Sequence, residues 1–208
     1  MSLLFHPRLS VIYVLAVVLF IAAGCGPEQG GDEGQEPTFG VEEPDDDELC
    51  QFDGERWDCA IDCTDSEEWP EQWKVQARRL VEESNEARSS PVDCDGIHPP
   101  ALALEHDEYL AEAARCHALD MAENQFFSHD GSGGHDEVER ADEAGYESDY
   151  VGENLAMGQA TPNDAVEAWL ESPGHCENIM HRDYRDTGTA YIEVGGTSYW
   201  IQKYGRVW

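Results

Sequence analysis

The chain contains few basic residues. Lysine and arginine together number 12, against 45 aspartates and glutamates, and the formal net charge at pH 7 is −33. Nucleic acid is bound through clustered cations, so this composition excludes it as a natural partner and also argues against adsorption to anionic lipid headgroups. Such acidity suits solubility in salty or divalent-rich surroundings, where screening relieves self-repulsion.

The sequence also lacks the short motifs of common enzymes. It contains no Gly-x-Ser-x-Gly, no His-Glu-x-x-His and no P-loop spacing. No motif in it therefore indicates a familiar hydrolase mechanism. It shows no internal repeat.

Residues 1–25 are predicted to be an export signal. The apolar run Val11–Ala23 is shorter than the roughly 20 residues that a membrane-spanning helix needs, and it suits a signal peptide. It ends in a sequence typical of a bacterial lipobox, in which Cys25 is lipidated and becomes the mature N-terminus. Ala22 stands where the usual Leu is found, which leaves ordinary signal-peptidase cleavage as an alternative. Gly26 favours an outer-membrane lipoprotein that faces the periplasm or the cell surface, attached to the membrane only through its anchor.

Residues 26–49 are predicted to be an acidic tether. Residues 26–48 include ten acidic residues and no Lys or Arg, with Phe39 and Val41 as the only large apolar side chains. Such a segment buries too little surface to offset the entropy of ordering. A cysteine-containing extension at 50–69 and a globular domain at 70–208 follow.

The cysteine count predicts disulfides. Seven cysteines less Cys25 leave an even number, which in an exported chain indicates a disulfide framework. Six cysteines allow 15 pairings, and spacing does not choose among them. A zinc knuckle at Cys50, Cys59 and Cys63 is the weaker alternative, because that segment offers no fourth ligand. The remaining three are Cys94, Cys116 and Cys176.

Hydrophobic periodicity predicts helices followed by a β-hairpin, and therefore an α+β domain. His117 lies on the apolar stripe of the second helix and is interpreted as a packed core or helix-surface histidine. Gly195-Gly196 joins two segments rich in β-branched and aromatic residues. The helices are expected at Ser66–Arg88, Asp107–Asn124, Asp136–Glu143, after the cap Thr161 with Pro162, and after Ser172-Pro173.

Three polar residues are candidates for a shared cleft. His129 follows an aromatic pair, Glu153 is predicted in a Gly-Glu-Asn turn, and His175 in a Ser-Pro-Gly-His turn. Two imidazoles and a carboxylate suit Zn²⁺ with one open position, or a general base without metal. The alternative is that these residues cap helices and join loops.

Six segments in this order carry a family likeness: LVEESNEAR, LAEAARCHALDMAENQFFSH, RADEAGY, GENLAMGQATP, AVEAWLESPGHCENIM and YWIQKYG. Together they resemble the CAP superfamily, which includes cysteine-rich secretory proteins, venom allergens and plant pathogenesis-related proteins. The likeness covers roughly residues 70–208 and implies a three-layer α-β-α sandwich with a central antiparallel sheet.

The resemblance also implies one disulfide, between Cys94 and Cys176. This leaves four cysteines for two bridges that tie the N-terminal extension to the core.

The resemblance further implies a cleft in which His129 and Glu153 match the first His and first Glu of a four-residue family site. Ser172 stands where the second Glu is expected, with Glu171 one residue early, and Tyr199 stands at the second His position. Bacterial relatives resemble this chain at His175 instead. The predicted cleft residues are His129, Glu153, His175, Asn154 and Glu171, and the predicted metal ligands are His129, His175 and Glu153.

These observations favour a binding or interaction module over an enzyme. The resemblance suggests a small hydrophobic ligand, such as a sterol or lipid, or a cell-surface or wall component. A metal-dependent extracellular hydrolase that uses Zn²⁺ in the same cleft is the second hypothesis, and a surface protein with a vestigial cleft is the third.

Overall fold

The computed structural model describes residues 49–55 and 57–206. The predicted lipobox at Cys25 and the acidic tether before residue 49 lie outside these residues. Within the described part of the chain, no helix combines the length and apolarity required to cross a membrane.

The described residues form five helices and eight strands. The helices are α1 (Glu71–Arg88), α2 (Glu108–Glu123), α3 (Glu137–Ala144), α4 (Pro162–Leu170) and α5 (Pro173–Met180). The strands are β1 (Cys50–Phe52), β2 (Trp57–Cys59), β3 (Val92–Asp93), β4 (Ile97–His98), β5 (Glu105–His106), β6 (Val151–Met157), β7 (Asp186–Val194) and β8 (Thr197–Gly205).

The central sheet has the strand order β5-β7-β8-β6. The long pairs β6–β8 and β7–β8 are antiparallel, whereas β5 adds a two-residue parallel pairing to β7. On one face, Ser84 of α1 donates a hydrogen bond to Gln202. On the other face, α2 lies so close to β7 that a Cβ at Gly188 would overlap the backbone of Leu110 and Ala111. The predicted three-layer sandwich is confirmed, with one short parallel strand added to its antiparallel sheet.

Most predicted helix ends agree with the structure because capping residues mark them. Asp107 and Thr161 each accept a backbone N–H at the start of a helix, and Asp136 forms a capping box with Glu139. The predicted start of α1 at Ser66 is wrong. The helix begins at Glu71, after Pro70, because a proline disfavours the helical conformation in the residue before it.

The segment around Glu153 is a strand and not the predicted turn. Glu153 lies in the middle of β6, where it pairs with Lys203 of β8. The turn residues Gly152 and Asn154 suggested a loop, but Gly152 serves close packing, since a Cβ there would overlap the Tyr184 hydroxyl. The two-residue hairpin at Gly195-Gly196 is confirmed, and both glycines have the positive φ that such a turn requires.

All six cysteines of the described chain form disulfides. The predicted Cys94–Cys176 bridge is present, and it ties α5 to the loop after α1. Cys63 pairs with Cys116 of α2 and joins the extension to the core. The expectation that both remaining bridges tie the extension to the core is wrong, because Cys50–Cys59 closes the small β1–β2 hairpin on itself.

Arg88 is a fully buried cation that binds backbone carbonyls. Its Nε donates to Leu102 O at 2.8 Å, Nη1 to Ile179 O at 2.5 Å and His181 O at 3.0 Å, and Nη2 to Tyr184 O at 3.3 Å. Burial lowers the Arg88 pKa to about 10, so the guanidinium stays charged at neutral pH. It therefore joins the end of α1 to two loops and to the end of α5.

Replacing Arg88 should destabilise the fold strongly. Arg88→Met leaves four backbone carbonyls without their donor, of which those of Ile179 and Tyr184 are buried, and we expect the free energy of unfolding to fall by about 3 kcal/mol or more. Urea denaturation measures this change. Arg78→Met is the control, because Arg78 forms an exposed ion pair with Glu71, and its replacement should leave the free energy of unfolding almost unchanged. Equal losses in the two variants would contradict the role of Arg88.

Candidate functional site

Glu153 is a buried carboxylate surrounded by cations. Its side chain is 1% exposed, and Oε2 lies 2.7 Å from Nζ of Lys203, which is itself fully buried. Nη2 of Arg140 lies 3.1 Å from Oε1 and 3.0 Å from Oε2. Lys203 reaches Glu153 because the β6–β8 register places them side by side on one face of the sheet.

These contacts fix the charge of Glu153. Burial by itself opposes ionisation, but Lys203, the hydrogen bond with His129 and Arg140 outweigh it and hold the Glu153 pKa far below its usual range. Burial also lowers the pKa of Lys203, and Glu153 counteracts that effect. We therefore treat the pair as ionised, with both carboxylate oxygens occupied.

His129 lies at the surface end of this cluster. Its Nδ1 is 3.0 Å from Glu153 Oε1, while half of its side chain is exposed. A carboxylate can only accept, so Nδ1 carries the proton and Nε2 is left for other contacts. The hydrogen bond to Glu153 raises the pKa of His129, which favours the protonated imidazolium.

His175 approaches His129 from α5, and the two ring centroids are 6.5 Å apart. Burial, and then the neighbouring His129, lower the pKa of His175. Its backbone carbonyl accepts a hydrogen bond from the Asn154 side chain at 3.0 Å, and Cys176 next to it is disulfide-bonded. The structure thus brings His129, Glu153 and His175 together at the β6 side of the sheet.

Asn154 and Glu171 do not join these three side chains. Successive residues of a strand point to opposite faces, so Asn154 projects away from Glu153 and bonds instead to Tyr204, Asn178 and the His175 carbonyl. Glu171 is exposed at the end of α4, and its carboxylate makes no hydrogen bond or ion pair with the described part of the chain. Asn154 therefore supports the cleft from the opposite face of the sheet.

The three predicted metal ligands, His129, His175 and Glu153, lie near one another but are not placed to share a metal ion. Among the residues that the structure describes, no group of three or more His, Cys, Asp or Glu side chains is placed to hold a metal ion. The physical reason lies at Glu153, whose two oxygens already contact Lys203 and Arg140. A divalent cation there would displace or face two buried positive charges.

Sequence reasoning missed Lys203 and Arg140 and underrated His117. His117 is packed in the core as predicted, but its Nε2 also lies 3.9 Å from Glu153 Oε1. One signal was present for Lys203, since a lysine in the apolar and aromatic strand YWIQKYG requires a buried partner. Arg140 had no comparable signal, because a helix of this composition accommodates an arginine on its solvent side.

Acid should destabilise the domain through His117. Burial lowers its pKa to about 4, below the value of about 6.5 in an unfolded chain. The unfolded state therefore binds more protons in this window, and stability falls as the pH drops from 6.5 towards 4. We expect His117 to make the free energy of unfolding about 2 kcal/mol lower at pH 5 than at pH 7.

Urea denaturation of His117→Gln at both pH values measures this contribution, because Gln can still donate to Ser128 O, the partner of His117 Nε2. His129 changes the stability in the opposite direction, because its pKa is raised and the stability that it contributes is lost as the pH rises. This effect is present both in the unaltered protein and in His117→Gln. His106→Gln, at an exposed histidine, is the control. An unchanged pH dependence in His117→Gln would contradict the assignment.

Comparison with known proteins agrees with this fold. A family model described as "Cysteine-rich secretory protein family" matches residues 81–204. The Bacillus subtilis protein YkwD is 30% identical over 135 residues, which are 65% of this chain and 49% of YkwD. The chain therefore spans about half the length of that relative.

Two solved structures share the fold. An extracellular protein containing an SCP domain from Bacillus anthracis superposes with a TM-score of 0.57 at 20% identity, over 73% of this chain and 46% of that one. An outer surface protein from Borrelia burgdorferi gives a TM-score of 0.54 at 24% identity, over 62% of this chain and 90% of that one. With a family model covering more than half of its residues and a matching α-β-α sandwich, the chain belongs to the cysteine-rich secretory protein (CAP) family.

Proposed function

We propose that this protein is an exported, lipid-anchored CAP domain that binds a small cell-surface or wall component in the cleft between His129 and His175. One observation supports binding more than any other. Glu153 is buried, and its carboxylate already forms ion pairs with Lys203 and Arg140. The carboxylate orients His129 but is not exposed to a ligand. The cleft therefore presents two oriented imidazoles.

The charge around Glu153 favours an anionic group on the ligand. Lys203 and Arg140 bring two positive charges to one carboxylate, and the raised pKa of His129 adds positive charge as the pH falls. His175, with its lowered pKa, stays neutral beside it. In a chain of net charge −33, such a site attracts a carboxylate or phosphate group that the rest of the surface repels.

The hydrolase hypothesis is weaker on the same evidence. A general base must keep a proton-accepting atom within reach of the substrate, and Glu153 holds its charge at a pKa far below neutrality. One of the two imidazoles, of His129 or of His175, would have to accept the proton. Ester hydrolysis by the protein that a chelator abolishes would instead favour a metal-dependent hydrolase.

The cleft is tested by acetate binding, followed through the imidazole resonances in NMR at constant ionic strength. We expect acetate to shift His129 and His175, more strongly below the His129 pKa than above it, because the imidazolium is the attracting form. His129→Gln/His175→Gln should weaken binding by about tenfold or more, while the fold stays intact because His129 is half exposed.

His106→Gln is the matched control, as an exposed histidine that pairs with Glu108 outside the cleft. It should bind acetate like the unaltered protein. Equal acetate affinity in the double variant would refute the cleft as the binding site.

Export and anchoring are proposed from the sequence and the disulfides. All six described cysteines are oxidised in pairs, as is usual in extracytoplasmic compartments. The seventh, Cys25, follows the apolar run of the predicted signal peptide. This distribution supports a thiol reserved for lipid attachment.

Cys25→Ser should abolish lipid labelling and release the protein into soluble fractions, because the thiol is the acceptor of the lipid. Radiolabelled fatty acid incorporation and membrane fractionation measure both effects. Gly26→Ala, which keeps the thiol, should remain labelled. A Cys25→Ser protein that is processed and retained as before would exclude lipidation at this residue.

A further inference from the structure

A groove of about 560 Å³ lies at one edge of the central sheet, apart from the cleft. None of His129, Glu153 or His175 lines it, whereas Ala77 of α1 and Ala111 of α2 do. These two helices pack on opposite faces of the sheet, so a groove that both of them line lies beyond the edge of the sheet. Its volume falls within the range of about 300–1,000 Å³ that is typical of ligand sites.

The edge of β7 forms the floor of this groove. His106, the last residue of β5, and Thr189 of β7 both line it. After His106 the chain leaves the sheet, because Asp107 caps α2. The backbone N–H of Asp107 donates to Thr187 O at 2.9 Å. Beyond that bond, β7 continues to Val194 with no further strand at this edge among the described residues.

Thr189 directs its backbone N–H and C=O towards this groove. Alternate residues of a strand point these groups to the same side, and Thr187 O accepts from Asp107 on the β5 side. The side chain of Thr189 is already engaged, since its Oγ1 donates to Ala77 O at 2.9 Å. Its backbone N–H and C=O have no hydrogen-bond partner in the part of the chain that the structure describes. The edge of β7 is therefore open to pairing at Thr189.

Apolar side chains line both walls of the groove. Ala77 and Val81 belong to α1, Ala111 belongs to α2, and Trp69 lies just before α1. Successive side chains of an extended strand point to opposite sides. A strand laid along β7 would therefore present its side chains alternately to α1 and to α2, and small apolar side chains match both walls.

The Lys and Arg side chains that line the groove already have partners. Arg115 pairs with Glu108, Arg78 pairs with Glu71, and Lys74 donates to Glu67 O. These contacts leave no free cation for the carboxylate at the end of a peptide. An internal and uncharged stretch of polypeptide therefore matches the groove better than a chain end does.

We propose that the groove binds an internal stretch of a partner protein, which adds a strand to the edge of β7. The N–H and C=O of Thr189 supply the backbone hydrogen bonds, as the open strand edges of peptide-binding domains do. The bound stretch is extended and carries small apolar side chains. The site is separate from the His129–His175 cleft, and it does not depend on the anionic ligand proposed there.

The test uses the capped peptide acetyl-Ala-Val-Ala-Val-amide and the ¹⁵N-labelled full chain. We expect the peptide to shift the amide proton of Thr189 downfield and to slow its exchange with solvent, because this N–H gains an acceptor. Ala190 is the internal control. Its N–H points to β8, so its exchange should stay unchanged.

Two N-methylated peptides test the strand pairing itself. One carries methyl groups on both Ala nitrogens and the other on both Val nitrogens, so each blocks one edge of the extended peptide. One edge faces Thr189, and we expect the analogue blocked there to bind about fivefold or more weakly than the other. The same peptide with free termini should also bind more weakly, because its carboxylate finds no cation.

One variant closes the groove without altering β7. Ala77→Leu should weaken peptide binding by about fivefold, because the larger side chain fills the space beside Thr189. Ala103→Leu is the matched control, since Ala103 is an exposed alanine outside the groove. His129→Gln should bind the peptide like the unaltered protein, which separates this site from the acetate cleft.

Three results would overturn the proposal. One is an unchanged Thr189 amide at the solubility limit of the capped peptide. Another is equal binding of the two N-methylated analogues, which would show contact without strand pairing. The last is equal peptide affinity in Ala77→Leu and the unaltered protein. Tighter binding of the peptide with free termini would contradict an internal stretch as the ligand.

Discussion

The burial of one carboxylate beside two cations is the constraint on which the site depends. Glu153 and Lys203 are almost completely removed from water, and Arg140 brings a second cation to the same carboxylate. Removing one partner of such a cluster leaves an uncompensated buried charge, which typically costs about 3–5 kcal/mol. The cluster also joins layers, because Glu153 lies on β6, Lys203 on β8 and Arg140 on α3. The orientation of His129 follows from it, since the same carboxylate accepts the proton of His129 Nδ1.

Neighbouring residues of β6 hold the two imidazoles from opposite faces of the sheet. Glu153 binds the ring of His129, and Asn154 binds the backbone of His175. Asn178 reinforces both, with its side-chain amide donating to Glu153 O and to Asn154 Oδ1. A dipeptide in an extended strand can therefore position two elements that are distant in sequence. The sequence Gly-Glu-Asn therefore positions His129 and His175, although only its glutamate touches the cleft.

The parts of the fold that depend on short stretches of sequence were predictable. Asp107, Asp136 and Thr161 mark helix starts by local hydrogen bonds, and Gly195-Gly196 marks a tight hairpin by its backbone freedom. Strand β6 was not predictable in this way, because Gly and Asn are typical of turns and their strand role comes from packing against Tyr184 and α5. Lys203 needed the β6–β8 register, which sequence does not supply. His129 and His175 could be named as candidates from the residues beside them, but their proximity depends on the contacts of Glu153 and Asn154 in the folded sheet.

The arrangement of the first two disulfides decides how the domain responds to pulling from its N-terminal side. Cys50–Cys59 closes a loop within the extension. Tension along the chain therefore passes through this disulfide and does not act on the β1–β2 hairpin. The load then passes to Cys63, which is bonded to Cys116 in the middle of α2. Cys116 precedes His117, and α2 packs along the central sheet. A force applied on the N-terminal side of Cys50 is therefore carried by two sulfur–sulfur bonds into α2, and the hydrogen bonds of the central sheet are not separated one at a time.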